Sequence, residues 1–210
     1  MRNDTKKEID SLAAPRKRGR PRAYDPAAAF AAVTDTFWEK GFQGASLDDL
    51  AAAAGMNRPS LYAAFGDKKA MYLEALARIR AQVNAGLCAI LDAGLTPQAA
   101  LSQFYLRALP IYLSGERGPR GCLTICTASV EAASDPDIRA ALARMLDDID
   151  AKLARLFPAK DKALAPLAAA VLHSLAVRAR AGQSPRSLKM LAETAAALLL
   201  TGPTDPSRRR

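Results

Sequence analysis

The segment SLDDLAAAAGMNRPSLYAAF, residues 46–65, constrains this chain more than any other stretch, because it specifies two helix starts and a sharp stop between them. Ser46 followed by Asp49 is a capping-box pattern, in which each side chain satisfies a backbone N–H of the other residue. Leu47, Leu50, Ala51 and Ala54 recur at i, i+3, i+4 and i+7, one apolar helix stripe. Gly55 stands where a left-handed residue closes a helix. Asn57 is the N-cap of a second helix, and Pro59 fits its first turn, where an N–H has no helical partner. On this second helix Leu61, Ala64 and Phe65 form the expected buried side, while Arg58, Ser60 and Tyr62 point elsewhere. Two short helices around a tight turn are helix-turn-helix grammar. In that motif the N-terminal residues of the second helix meet base edges in the DNA major groove.

The remaining punctuation is also helical. Asp25-Pro26, Thr96-Pro97, Asp135-Pro136 and Ser184-Pro185 each pair an N-cap with a proline at the first helical position, and Asp67 caps a further start. Apolar stripes follow these starts: Phe30, Val33, Phe37 and Trp38 up to Gly41; Tyr72, Leu76, Ile79 and Val83 in a helix running to about residue 90; Leu101, Tyr105, Ala108 and Tyr112 before the loop at 114–121. A short apolar helix is expected near 122–133. A long stripe follows from Ile138 to Leu156, and two final helices are expected at about 162–181 and 185–201. No stretch alternates with period two, so the expected class is all-α.

The formal net charge of +9 and a pI near 9.7 favour a polyanionic partner. No run of eighteen apolar residues suggests a membrane span, and the polar N-terminus lacks the apolar core of a secretory signal. Three cysteines, an odd number, argue against a disulfide framework and fit a reducing cytosol. A single histidine with no Cys/His cluster offers no zinc site, and nothing calls for a cofactor.

Four pieces resemble, in order and spacing, the N-terminal domain of the tetracycline-repressor-like (TetR/AcrR) regulators: GRPR at 19–22, FWEKGF at 37–42, SLDDLAAAAG at 46–55 and NRPSLYAAFGDKK at 57–69. The resemblance covers about a quarter of the chain; PRGCL at 119–123 is similar to a segment seen in a subset of these proteins. It implies a basic arm (1–24), a three-helix helix-turn-helix DNA-binding domain (25–68), a helical effector-binding and dimerisation domain (69–203) and a basic tail (204–210). The implied partners are an operator DNA, a small-molecule effector and a second copy of the chain, in the cytoplasm and without a membrane.

Arg58 is the foremost candidate for reading bases, because its planar fork can donate two hydrogen bonds to guanine O6 and N7. Ser60 can reach a base or a phosphate, and Pro59 and Ala63 suit a thymine methyl. Asn57 is a cap beside this surface. The resemblance places Ser46, Tyr62 and Lys68 at backbone-phosphate positions, contacts that orient a protein without reading sequence. In the arm, Arg20 and Arg22 surround Pro21 much as in minor-groove-binding AT-hooks. The alternative is a solvated basic tail that touches phosphates alone.

Phe104, Tyr105, Leu109, Tyr112, Ile125 and Met145 are candidate walls of an effector cavity, with plain core packing as the competing reading. The small charge content of the inward stripes favours a neutral or apolar effector. Leu167, Val171, Leu175, Leu191, Ala195 and Leu198 lie on the final helix pair, which in the family makes a four-helix bundle with its copy; the competing reading is a monomer's core. Cys122 and Cys126 share a helix face near Arg117 and Arg120, where a thiolate would be stabilised and redox-reactive, unless both are small buried hydrophobes.

These readings converge on a ligand-responsive regulator, most naturally a repressor, on a near-palindromic operator. A thiol-based sensor of the same fold is one alternative, and a sequence-tolerant DNA-compacting protein is another. An enzyme would need Cys122 as nucleophile and the lone His173 as base, with no further catalytic grammar beside them.

Overall fold

The computed structural model describes residues 25–201. The expectations for the basic arm, including Arg20 and Arg22, and for the basic tail lie outside the described residues. Among the described residues the chain forms helices and no strand. The head comprises α1 (Pro26–Gly44), α2 (Leu47–Ala53) and α3 (Arg58–Phe65). The long α4 (Lys68–Leu91) leads to α5 (Pro97–Leu113), a π-helical turn (Thr124–Ala128) running into the single turn α6 (Ser129–Glu131), and α7 (Pro136–Leu153). Two 3₁₀ segments, Ala154–Leu156 and Ala159–Leu164, precede α8 (Ala165–Arg180) and α9 (Pro185–Thr201).

The caps form as their residue types dictate. Asp25, Asn57 and Asp67 accept from the N–H groups of Ala27, Ser60 and Ala70 at 2.9, 2.9 and 2.7 Å. Ser46 and Asp49 close the capping box, and Ser184 Oγ accepts from Ser187 N–H at 3.2 Å. Orphan donors at helix starts are thereby satisfied.

Three local expectations change. Ala64 is exposed, so α3 turns only Leu61 and Phe65 inward. Gly41, at φ +72°, kinks α1 rather than ending it, and one further turn follows. The segment expected as a short α-helix near 122–133 opens as a π-turn. There the Thr127 and Ser129 hydroxyls donate to the carbonyls of Leu123 and Ile125 four residues back, a competition that distorts regular helix. Ala159–Arg180 is long and apolar enough by length and composition to cross a bilayer. However, Ala168, Leu172, Leu175 and Ala179 pack it into the protein core.

Two apolar cores form. The head core gathers Phe30, Val33, Phe37, Leu50 and Leu61 with Met71, Tyr72 and Leu76 of α4. Leu123, Ala128, Ile138 and Ala141 also belong to it, so packing does not divide at residue 68. The Tyr72 ring meets Phe37 edge-on at 5.1 Å, and its hydroxyl bonds Thr127 Oγ1 at 2.6 Å, anchoring α4 to the π-turn. Burial pushes that phenol up to about 12. The second core joins α5, α7, α8 and α9 through residues such as Leu101, Tyr105, Ile149, Leu172 and Leu188.

Head and body meet at Trp38. Its indole N–H donates to Gly121 O at 3.0 Å, the Arg120 guanidinium stacks on its ring at 4.1 Å, and Arg120 pairs with Asp35 of α1 at 2.6 Å. Arg180 of α8 closes the joint, donating to the carbonyls of Trp38 and Arg120. Gly121 sits at φ +66°, and a Cβ there would lie 2.6 Å from Ala176 O and 2.7 Å from Cys126 Sγ. Gly121→Ala therefore adds backbone strain and a collision at once, and should destabilise the chain by at least about 1–3 kcal/mol in urea unfolding.

Candidate nucleic-acid interface and effector cavity

The first turn of α3 presents Arg58, Pro59 and Ser60 to solvent, and Tyr62 is 41% exposed on the same helix. The Asn57 side chain is used as the cap of α3. Ser46 is similarly committed: its hydroxyl accepts from Asp49 N–H and donates to Asp49 Oδ2 at 2.8 Å. A phosphate at Ser46 must therefore compete with the capping box. Asp49 also pairs with Lys40 at 2.6 Å, which with the Ser46 bonds holds its carboxyl well below the usual range. Lys68 is half-buried at the start of α4, its ammonium 4.7 Å from the Phe42 ring centre.

Sequence reasoning missed the partner of Arg58. The guanidinium grips Asp48 of α2 through both carboxylate oxygens, Nε donating to Oδ1 at 2.6 Å. This hydrogen bond lowers the Asp48 pKa and raises that of Arg58. Nothing in local spacing signals the pair, because it forms across the turn only once α2 and α3 cross.

In the body, a cavity of about 150 Å3 opens between α1, α4, α5 and α8, walled by residues including Trp38, Val83, Phe104 and Leu172. Of the six expected wall residues, Phe104 and Tyr112 line it. Tyr105 is fully buried with its hydroxyl donating to Ala168 O at 2.7 Å, and Met145 is likewise core. Leu109 and Ile125 also lie outside the lining. The inward stripe was legible, but which turns leave a gap depends on how the helices cross.

The cysteines are not poised as expected. Cys122 is buried against the cavity, and burial pushes its thiol up to about 11. Burial also raises Cys126, although the nearby Arg180 opposes the shift. The arginines expected beside them are engaged elsewhere, Arg120 with Asp35 and Trp38, Arg117 with Glu39. His173 is half-buried, and burial lowers its pKa. On the final helix pair, Leu167 and Leu198 are exposed at 53% and 61%, and Val171, Leu191 and Ala195 are half-buried. Leu175 is the exception: it is fully buried in the chain's own core and so is unavailable to a partner.

These elements define an all-helical helix-turn-helix protein with a separate cavity-bearing helical body. The family described as bacterial regulatory proteins, tetR family, matches residues 30–75. Over 127 residues the chain is 28% identical to the HTH-type transcriptional repressor ComR of Escherichia coli (strain K12), a match covering 60% of each protein. It is 41% identical over 58 residues to the repressor BdcR of the same organism, covering 28% of this chain and 29% of BdcR. A cysteine mutant of the TetR family transcriptional regulator CifR, complexed with 26-bp operator DNA, superposes with a TM-score of 0.72 at 30% identity over 84% of this chain and 98% of CifR. Reduced NemR of E. coli shares the fold at 20% identity and a TM-score of 0.72, over 86% of this chain and 98% of NemR. The chain belongs to the TetR family.

The raised Cys122 pKa sets a pH test. A thiol whose pKa rises from 9.0 to about 11 holds about 100-fold less thiolate at pH 7.5. Native Cys122 should therefore alkylate with iodoacetamide at least that much more slowly than in the urea-unfolded chain. The part of the gap set by ionisation should narrow between pH 9 and 11, while the part set by burial remains. Peptide mass spectrometry reads both rates.

Proposed function

We propose that this protein is a dimeric, effector-responsive transcriptional repressor that binds a near-palindromic operator through α3. The observation that carries the reading is the capped helix-turn-helix with Arg58, Ser60 and Tyr62 on one exposed helix and Lys68 at the start of the next. Arg58 reads a base, Ser60 a base or phosphate, and Tyr62 and Lys68 hold phosphates. Pro59 offers an apolar edge, Ser46 and Asn57 shape the helix starts at the phosphates, and Arg20 and Arg22 reach the minor groove. Exposed alanines at 63 and 64 keep the reading surface narrow, which fits short half-sites.

A two-fold dimer supplies the second half-site. Leu167, Val177, Met190 and Leu198 of α8 and α9 are large, apolar and more than half exposed, as an unpartnered bundle face would be. The effector enters the body cavity, and occupancy lowers operator affinity by linkage. The curated relatives are matched over only 60% of ComR's length, so the effector is argued from this chain's own cavity. A redox-sensing mode is disfavoured by the raised thiol pKa values of Cys122 and Cys126. Such a regulator acts in the cytoplasm.

Genomic fragments selected by the purified chain at near-physiological salt should contain a near-palindrome. Arg58→Ala should lose roughly tenfold to hundredfold discrimination at one symmetric pair of positions. Lys68→Ala should weaken all sequences alike and flatten the salt slope. Uniform recovery by all three proteins would leave only a nonspecific basic DNA binder. Leu198→Glu with Leu167→Glu should convert the dimer to a folded monomer in light scattering. A wild-type chain that is monomeric at micromolar concentration would contradict the interface.

A further inference from the structure

The cavity has two chemical zones. Its interior is apolar, with the rings of Trp38 and Phe104 set among the aliphatic side chains of Ile79, Val83 and Leu172. Three further lining residues, Gln82, Arg107 and Ile111, are exposed and form its mouth. Arg107 makes no ion pair or side-chain hydrogen bond among the described residues, whereas Arg80, Arg120 and Arg178 are engaged. Tyr112 is 7% exposed, and its hydroxyl engages no protein group among the described residues. Burial holds that phenol well above 10, so it stays a neutral donor. Gly86 lines the same space with nothing within 4 Å of where its Cβ would stand. A cavity of about 150 Å3 suits roughly one benzene-sized ring.

We propose that this cavity binds a one-ring aromatic monocarboxylate, ring inward against Trp38 and Phe104, carboxylate at the mouth on Arg107, and that Trp38 passes its occupancy to the head. This rests on the effector-responsive reading and names the ligand class and the relay. A guanidinium pairs a carboxylate through two parallel hydrogen bonds, so Arg107 supplies orientation as well as charge. The interior excludes a second charge, because no opposite charge lies within it. The lining stripes alone suggested a neutral effector; the charge lies on the rim, one residue before the inward-facing Ala108.

The relay follows from where Trp38 sits. One residue lines the cavity, belongs to the head core, donates to Gly121 O and carries the Arg120 stack. Gly121 N–H in turn donates to the carbonyl of Tyr112 at 2.9 Å, so two walls of the cavity are bonded to the same loop residue. A ring pressed between them acts on α1 directly, without a path through the length of α4.

Trp38 is the chain's only tryptophan, so its emission reports the site. The full-length protein is titrated with 4-iodobenzoate and with iodobenzene, whose heavy atom quenches an indole it touches. The expected result is saturable quenching by both, with 4-iodobenzoate at least tenfold tighter. Arg107→Gln should abolish that preference and leave iodobenzene binding unchanged. Ala108→Phe, which places a phenyl ring in the space, should abolish saturable quenching and, by imitating occupancy, weaken operator binding. Saturating 4-iodobenzoate should weaken binding to the selected operator duplex, and the duplex should weaken the probe by the same factor. Linear, non-saturating quenching would overturn the site. Equal affinity of the two probes would overturn the carboxylate assignment, and quenching without any change in operator affinity would overturn the relay. Quenching as expected in a protein that selects no operator would instead overturn the regulatory reading and support the site.

Discussion

The indole N–H of Trp38, donated to the carbonyl of Gly121, is the bond on which the arrangement of this molecule depends. It joins α1 to the loop between α5 and the π-turn, and Arg120 and Arg180 brace it from both sides. A buried indole needs an acceptor, and only a residue without Cβ can bring a carbonyl there at φ +66°. Head and body are consequently fixed to one another by polar bonds at this joint, by others such as Gln43 to Glu131, and by apolar packing along α4. The same indole forms part of the cavity wall, which is what gives the proposed relay its route to the head.

The DNA-facing surface works on a different principle, restraint by exposed polar groups. Arg58 is held by Asp48 across the turn, and the pair is open to solvent on both sides. Exposed ion pairs of this kind contribute little in water. The contact therefore holds the fork against α2, and under the proposed base-reading role it would be given up at small cost. Ser46 and Asn57 are tied up as caps, so the N-termini of α2 and α3 are geometrically set before any nucleic acid arrives. In the proposed reading, electrostatics from a chain with net charge +9 steers the encounter and α3 discriminates.

What was legible in the sequence was whatever is encoded locally. Asp25, Ser46, Asn57 and Asp67 cap as expected because a cap needs only its own first turn. The stripes of α1, α4 and α7 face the core where their periodicity puts them, with only Val83 and Leu142 left half-buried. Features fixed by helix crossing were not legible. The Asp48–Arg58 pair, the burial of Leu175 and the choice of Phe104 and Tyr112 over Tyr105 and Met145 as cavity walls all depend on tertiary approach. The cysteines show the same limit. Their spacing and nearby arginines left open an activated thiol beside the favoured reading of small buried hydrophobes, and Arg120 and Arg117 pair elsewhere while burial raises the Cys122 thiol. The π-turn is intermediate: Thr127 and Ser129 were visible, but the return of their hydroxyls to the backbone was not.

In the proposed dimer, two rigidly mounted heads read two half-sites at a fixed separation. The direct measurement compares operator duplexes whose half-sites are moved apart by five or by ten base pairs, titrated against the full-length protein. A half-turn insertion places the second half-site on the opposite face of the duplex, so affinity should fall toward the nonspecific level. The full-turn insertion restores the face but not the distance and should also bind poorly. Equal affinity for the native and both altered spacings would contradict the account, because heads that ignore spacing are not held by a common frame.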